Sequence, residues 1–403
     1  MGFCHVLLAI FVAVMPISIY TVPLEPSNGS SSNRLGAPAG EPNPALSSTA
    51  AWTHKTLPNA HDHHAKSRWE LGSARSRSTA RKHSIDESGR RHANGGREEG
   101  SDSASERVWD LRTGELMTNF SRIAYCPEPE ILQWSCATCN ESLKGFELFY
   151  KEHENSRHVG VYVGYYPREN KAVVVFRGTD YLINWIQDLM VYKVDSDYDC
   201  GYYPPPPLAP PPPKDDEQRE VPPKPRKRKC KVHSGFKSDW LSVRDNVMNA
   251  THAVLDMYPS AELWVTGHSL GGALASLCGL DLQMQYNKTS PNPKTVNLFT
   301  LGQPRVGNKD FADFLWEKIP AATRVVHQND VVPHLPPHGH DLIIMTDFHH
   351  HAREVWQTGT EDDTFIQCDD SGEDPRCSNS LTSWDRSVEA HLWYLGFDMT
   401  NAC

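Results

Sequence analysis

The sequence predicts an α/β fold in which a mostly parallel central sheet carries helices on both faces. Three observations predict it. Residues 263–266, 296–301 and 323–327, rich in β-branched and other apolar residues, read as buried strands. They alternate with helix-period segments at 240–258, 270–286 and 310–319, and strands separated by helices pair in parallel through crossovers. The first of these strands runs straight into Gly267-His268-Ser269-Leu270-Gly271 and then a helix of small residues. That order, strand then sharp turn then helix, lifts a serine to the edge of a sheet.

The elements follow in chain order. Residues 6–15 form an apolar stretch, Val-Leu-Leu-Ala-Ile-Phe-Val-Ala-Val-Met, read as the core of a signal peptide over 1–20. It is short for crossing a bilayer, and no other segment has the length and hydropathy to do so. Residues 21–107 are rich in Ser, Pro, Ala, Gly, His and Arg and poor in aliphatics. Such a segment buries too little apolar surface to offset its ordering entropy, so disorder is expected. It is locally basic at Arg75, Arg77, Arg81, Lys82, Arg90 and Arg91, which fits a propeptide, a surface-binding arm or a solvated tail. A folded domain is expected over 108–403. It opens with a helix near 119–126 and β-rich runs at 158–166 and 172–176, split by the turn Pro167-Arg168-Glu169-Asn170.

An insertion at 200–230 interrupts the domain. Residues 204–213 are almost pure proline, hence extended polyproline II. A basic run follows at Lys224, Arg226, Lys227, Arg228, Lys229 and Lys231, read as a solvated loop, a processing site or an anionic-surface contact. Cys200 and Cys230 bracket the insertion, and a disulfide between them would stabilise its base by about 3 kcal/mol.

Composition narrows the setting. The chain has 403 residues and only 38% hydrophobic ones, low for a chain folded throughout. Its ten cysteines argue for an oxidising compartment. Sequons begin at Asn28, Asn119, Asn140, Asn249 and Asn287, which together fit passage through a secretory pathway. A net charge of −10 gives no electrostatic footprint for nucleic acid.

The turn at Ser269 carries the chemistry. The glycines two residues before and after it have a steric reason, since a Cβ there would collide with the adjoining strand or helix. In this context the motif is the nucleophile elbow of the α/β-hydrolase fold. Serine needs an adjacent base held by a third group, in the chain order Ser, acid, His. Asp330, just past the strand 323–327, stands where an orienting carboxylate belongs. Twenty histidines leave the base open: order permits His334, His338, His340, His349, His350, His351 and His391. One oxyanion donor is expected from the N–H of Leu270, and a second from a loop after an early strand. Thr179, at the end of Phe176-Arg177-Gly178-Thr179, is a candidate, though alone it reads equally as a strand-end turn. The histidines between His334 and His351 are ligand-capable, yet their spacing defines no metal geometry, so no metal is expected. Half a zinc site at Cys136 and Cys139 lacks a second ligand pair.

The ordered motifs resemble the class 3 lipases, the filamentous-fungal triacylglycerol lipase type, over roughly 119–403. They are Tyr125-Cys126, Trp134-Ser135-Cys136-Ala137-Thr138-Cys139, Val175-Phe176-Arg177-Gly178-Thr179, Asn184-Trp185-Ile186-Gln187-Asp188-Leu189 and Val232-His233-Ser234-Gly235-Phe236. The series continues through the elbow, Gly302-Gln303-Pro304-Arg305-Val306-Gly307, residues 329–337 and Cys377-Ser378-Asn379-Ser380. The resemblance implies Ser269 as nucleophile, Asp330 as acid, His391 as base and Thr179 with Leu270 as the oxyanion hole. Ala390 precedes His391 and Tyr394-Leu395 follow it, where the family often has Asp and Tyr-Phe. The family pattern also implies disulfides Cys126–Cys403, Cys136–Cys139 and Cys368–Cys377. Cys278, inside the apolar helix after the elbow, is expected to stay a buried thiol.

Residues 181–191 look like the family's short helical lid. Leu182, Ile183, Ile186, Leu189 and Met190 form an apolar stripe and Trp185 a large apolar handle. An ordinary core-covering helix would carry the same stripe. The expected activity is a secreted serine esterase cleaving acylglycerol esters through an acyl-enzyme, without cofactors and in transient contact with a lipid surface. A phospholipase A1 or feruloyl-esterase-like enzyme shares the triad, and an inactive lipid-binding homologue is the non-enzymatic alternative. Oligomeric state is not encoded in these patterns.

Overall fold

The protein is seen here as a computed structural model that describes residues 109–154, 159–179, 182, 185–186, 192–203, 225–289, 294–339, 347–359, 364–382 and 385–403. The expected signal peptide, the basic segment over 21–107 and the polyproline run lie outside the described residues.

The centre is an eight-stranded sheet. Its strands are β1 (Glu147–Glu154), β2 (Val159–Tyr166), β3 (Lys171–Phe176), β6 (Glu262–His268), β7 (Val296–Leu301), β8 (Ala322–His327), β9 (Glu354–Gln357) and β10 (Phe365–Gln367), here in spatial order. The five from β3 to β9 pair in parallel, while β1, β2 and β10 add antiparallel edges. Two small strands, β4 (Lys193–Asp195) and β5 (Lys231–His233), pair outside the sheet.

Side-chain alternation along the strands builds two cores. Val161, Val163, Ala172, Val174, Phe176, Leu263 and Val265 face one way. Against them pack buried residues of three helices: α4 (Ser234–Met257), α5 (Leu270–Thr289) and α6 (Lys309–Lys318). Tyr162, Val173, Val175, Phe299, Leu301 and Val325 face the other way, onto Met117, Phe120 and Ile123 of α1 (Leu111–Ile123). Two short helices, α2 (Glu128–Gln133) and α3 (Ala137–Glu141), follow α1. The sheet is thus covered on both faces, as an α/β-hydrolase sheet is.

Several elements differ from the sequence reading, among them the first helix, β1 and β9. The first helix begins eight residues before the expected 119, at Leu111, because Asp110 caps it by accepting from the Thr113 N–H at 3.1 Å. β1 was not read as a strand. Its apolar Leu148-Phe149-Tyr150 runs into the polar Lys151-Glu152-His153-Glu154 with no alternation to mark a strand, and it pairs at the sheet edge with the buried β2. β9 was also missed, since Glu354 is a poor strand signal until Arg324 pairs with it at 2.7 Å.

Disulfides join Cys126 to Cys403, Cys136 to Cys139, Cys200 to Cys230 and Cys368 to Cys377, and Cys278 is a buried free thiol. Below the insertion, Arg228 is buried against Glu317 at 2.5 Å, so the basic run is not solvated throughout. Among the sequons, Asn140 and Asn249 are exposed. Asn119 is buried, and its side-chain oxygen accepts from Arg122 at 3.0 Å.

Candidate active site

Ser269 stands between the end of β6 and the start of α5 with φ of 60°, a left-handed conformation that costs a non-glycine residue free energy. The surroundings impose it. A Cβ on Gly267 would lie 2.4 Å from the backbone of Gly271, and one on Gly271 would lie 2.3 Å from the carbonyl oxygen of Phe176. Only glycines let strand, elbow and helix approach this closely. The Ser269 N–H donates to Leu301 O at 2.9 Å, which ties the elbow to β7.

Asp330 follows β8 and is fully buried. Its Oδ1 accepts the Val332 N–H at 2.8 Å. Its Oδ2 accepts from His391 Nδ1 at 2.7 Å and from the Tyr394 hydroxyl. Because a carboxylate only accepts, Nδ1 of His391 carries the hydrogen and Nε2 presents its lone pair. The Oγ of Ser269 and the Nε2 of His391 are both buried without a hydrogen-bond partner among the described residues. Gly302, with φ of 57°, completes the wall: a Cβ there would fall 2.8 Å from His391 Cε1 and 2.9 Å from the Tyr394 hydroxyl.

Two further histidines hold the His391 segment by its backbone. His268 Nε2 lies 2.8 Å from His391 O, so that nitrogen donates. Burial pushes the His268 imidazole well below its usual pKa, with the neighbouring His391 adding to the effect. His268 is therefore neutral, and its Nδ1 accepts the Tyr125 hydroxyl at 2.7 Å. His327 Nδ1 donates to Ala390 O at 2.8 Å, and burial lowers its pKa too. Sequence reasoning gave no role to Tyr125, His268, Gly302, His327 or Tyr394. Tyr125, His268, Gly302 and Tyr394 lay within the quoted motifs, but only tertiary contact shows what each touches.

Leu270 is buried and opens α5, where first-turn N–H groups have no intrahelical acceptor. Thr179 is half-buried next to Gly178. A Cβ on Gly178 would come within 3.1 Å of Ser269 Cβ, so the end of the β3 loop lies against the elbow. Of the residues expected to form a lid, Leu182, Trp185 and Ile186 are helical and half-buried, and the Trp185 ring stacks on Phe236 at 6.2 Å. Ile183 and Leu189 lie outside the described residues.

The remaining histidines go elsewhere. His350 Nε2 donates to Pro333 O at 2.7 Å. His334 is buried with neither nitrogen paired among the described residues. His338 and His349 lie together with Glu373, and His340 is outside the described residues.

Residues 173–340 match the family described as Lipase (class 3). A lipase of Rhizomucor miehei is 34% identical over 236 residues, 58% of this chain and 54% of that protein. The secreted mono- and diacylglycerol lipase 1 of Fusarium solani is 38% identical over 130 residues, 32% of this chain and 35% of that protein. The chain thus spans about half or less of these relatives' length. Among solved structures, a triacylglycerol lipase described as having a serine protease triad as its catalytic centre superposes with a TM-score of 0.58. It is 28% identical, and the match covers 73% of this chain and 97% of that one. This profile match, these relatives and this fold make residues 173–340 similar to the class 3 lipase family.

Proposed function

We propose that the chain is a serine esterase that hydrolyses acylglycerol esters through an acyl-enzyme. One observation carries the reading. Ser269 Oγ and His391 Nε2 are both buried without a partner among the described residues, while Asp330, Tyr394 and His268 around them are hydrogen-bonded. Leaving such atoms unpaired costs about 1–3 kcal/mol each, a cost that a reacting pair recovers when substrate arrives.

His391 Nε2 takes the Ser269 proton as Oγ attacks the ester carbonyl. Asp330 holds the imidazole by Nδ1 and stabilises the imidazolium. The N–H groups of Thr179 and Leu270 receive the oxyanion; losing one such donor typically costs about a hundredfold in turnover. His391 then protonates the leaving alcohol and activates water for deacylation. The cycle uses no metal ion or organic cofactor.

The named relatives that act on triacylglycerol and on mono- and diacylglycerol support the substrate class. The apolar stripe of Leu182, Ile183, Trp185, Ile186 and Leu189 supports a lid that meets a lipid surface when open. Residues 108–403 form the catalytic domain in this reading. Residues 1–20 serve as signal peptide and 21–107 as a segment outside the domain, and the relative named as secreted supports export.

The test is hydrolysis of emulsified long-chain triacylglycerol and of a short-chain ester below and above its solubility limit. Phosphatidylcholine and methyl ferulate run alongside, with Ser269→Ala as control. The expected result is serine-dependent activity that jumps at the interface and prefers triacylglycerol. Activity confined to phosphatidylcholine or ferulate would reassign the substrate, and serine-independent activity would sink the mechanism.

A further inference from the structure

We propose that His338 and His349, with Glu373 as an outlying third donor, form a binding site for a divalent transition-metal cation of the zinc class. The ligand atoms of the three residues lie within 4.8 Å of one another. The rings of His338 and His349 have centroids 4.9 Å apart, in an edge-on arrangement.

The hydrogen bonds fix the tautomers. His338 Nδ1 lies 2.8 Å from the carbonyl oxygen of Phe348, so Nδ1 carries the hydrogen and Nε2 the lone pair. His349 Nε2 lies 3.0 Å from the carbonyl oxygen of Ser371, so Nδ1 carries the lone pair. Metal-bound histidines almost always donate their second ring N–H to a carbonyl or carboxylate, which orients the ring and raises its basicity. Both imidazoles are already held this way. The Nδ1 of His349 is buried with no partner among the described residues, and a cation would supply one.

Glu373 places a carboxylate at the site, but its oxygens already accept from Arg305, Asn379 and the His350 N–H. The imidazoles are therefore the principal ligands. An ion bonded to both at about 2.0–2.1 Å draws their nitrogens to about 3.3 Å, a small rotation for the exposed His338. Imidazole ligands favour zinc, copper or nickel over magnesium and calcium, which prefer oxygen. Two other clusters among the described residues, Cys126 with Glu130 and Cys403, and Glu354 with Cys368 and Cys377, have their sulfurs committed to disulfides.

The site ties the stretch after Pro337 to the stretch entering β9. The His350 bond to Pro333 O links that stretch to the loop after Asp330. It does not depend on ester hydrolysis, so Ser269→Ala should bind metal as the parent does.

The experiment is calorimetric titration of the chelator-stripped full chain with Zn²⁺, with Mg²⁺ in parallel. Variants are His338→Ala, whose exposed position preserves folding, and His349→Gln. The expected result is one strong zinc equivalent per chain, weakened about tenfold or more in each variant, with no comparable magnesium uptake. Zinc binding unchanged in His338→Ala would overturn the proposal and point to other histidines, such as His61, His63 and His64. No zinc binding, or equal magnesium binding, would also overturn it.

Discussion

The imidazole of His268 donates from Nε2 to the backbone carbonyl of His391 at 2.8 Å. The residue before the elbow serine therefore fixes the segment that carries the imidazole beside Asp330. Replacing it with a ring that cannot hydrogen-bond leaves His391 O without this donor and deprives the Tyr125 hydroxyl of its acceptor. His268→Phe should lose about 1–3 kcal/mol of stability. It should lower kcat by about tenfold or more with KM within about twofold, because small misplacement of a reacting group is costly. A rise in KM at unchanged kcat would show that His268 acts on binding instead.

Gly302→Ala tests the wall behind the same imidazole. The added methyl would meet His391 Cε1 at 2.8 Å and Nδ1 at 2.9 Å, in a backbone conformation that disfavours any side chain. The ring must shift or Tyr394 must yield. Turnover on a soluble ester is expected to fall about a hundredfold, while far-UV circular dichroism stays native. Activity within about twofold of the parent would show that the pocket relaxes freely.

What was legible in the sequence was what is local. The elbow is a contiguous pattern in which strand, tight turn and helix each leave their own mark. Asp330 follows a strand and so could be singled out by position. The partner of Asp330 could not, because seven histidines lie downstream in permitted order and their distances depend on how loops return to the sheet. The resemblance singled out His391 where spacing did not. His327 looked like the end of a core strand, and its bond to Ala390 O spans a long sequence separation. The edge strand β1 escaped because its second half, Lys151 to Glu154, is polar without alternation, and β9 because the burial of Glu354 is defined by Arg324.

Arg324 and Glu354 are both buried and pair at 2.7 Å. Arg324 also donates to Gly372 O, and Glu354 accepts the Ser378 N–H. Removing one charge strands the other in a poorly solvated interior. Glu354→Gln should therefore destabilise the fold by about 3–5 kcal/mol, read from urea unfolding. A loss below about 1 kcal/mol would mean that water reaches the guanidinium. Exchanging both residues for apolar ones of similar volume should recover much of the loss.

Acid should destabilise this protein before its carboxylates titrate. His334 and His351 are pushed down to about 3 by burial, with Arg386 and Arg305 adding to the effect at His334 and Arg324 at His351. In the unfolded chain each takes a proton near pH 6.5. Between that value and about 3 the unfolded state binds more protons than the folded one, so stability falls as pH falls. It is fully present above pH 6.5 and stops declining for these groups only below about 3. By pH 5 each should have cost about 2 kcal/mol, a combined loss of about 4 kcal/mol relative to pH 7.5. Urea midpoints at pH 7.5, 6.5, 5.5 and 5.0 would read it. His334 offers the sharper comparison, since neither ring nitrogen has a hydrogen-bond partner among the described residues. His334→Met should be as stable as the parent at pH 7.5 and about 2 kcal/mol more stable at pH 5. Parallel pH profiles for parent and variant would show that His334 is protonated in the folded protein.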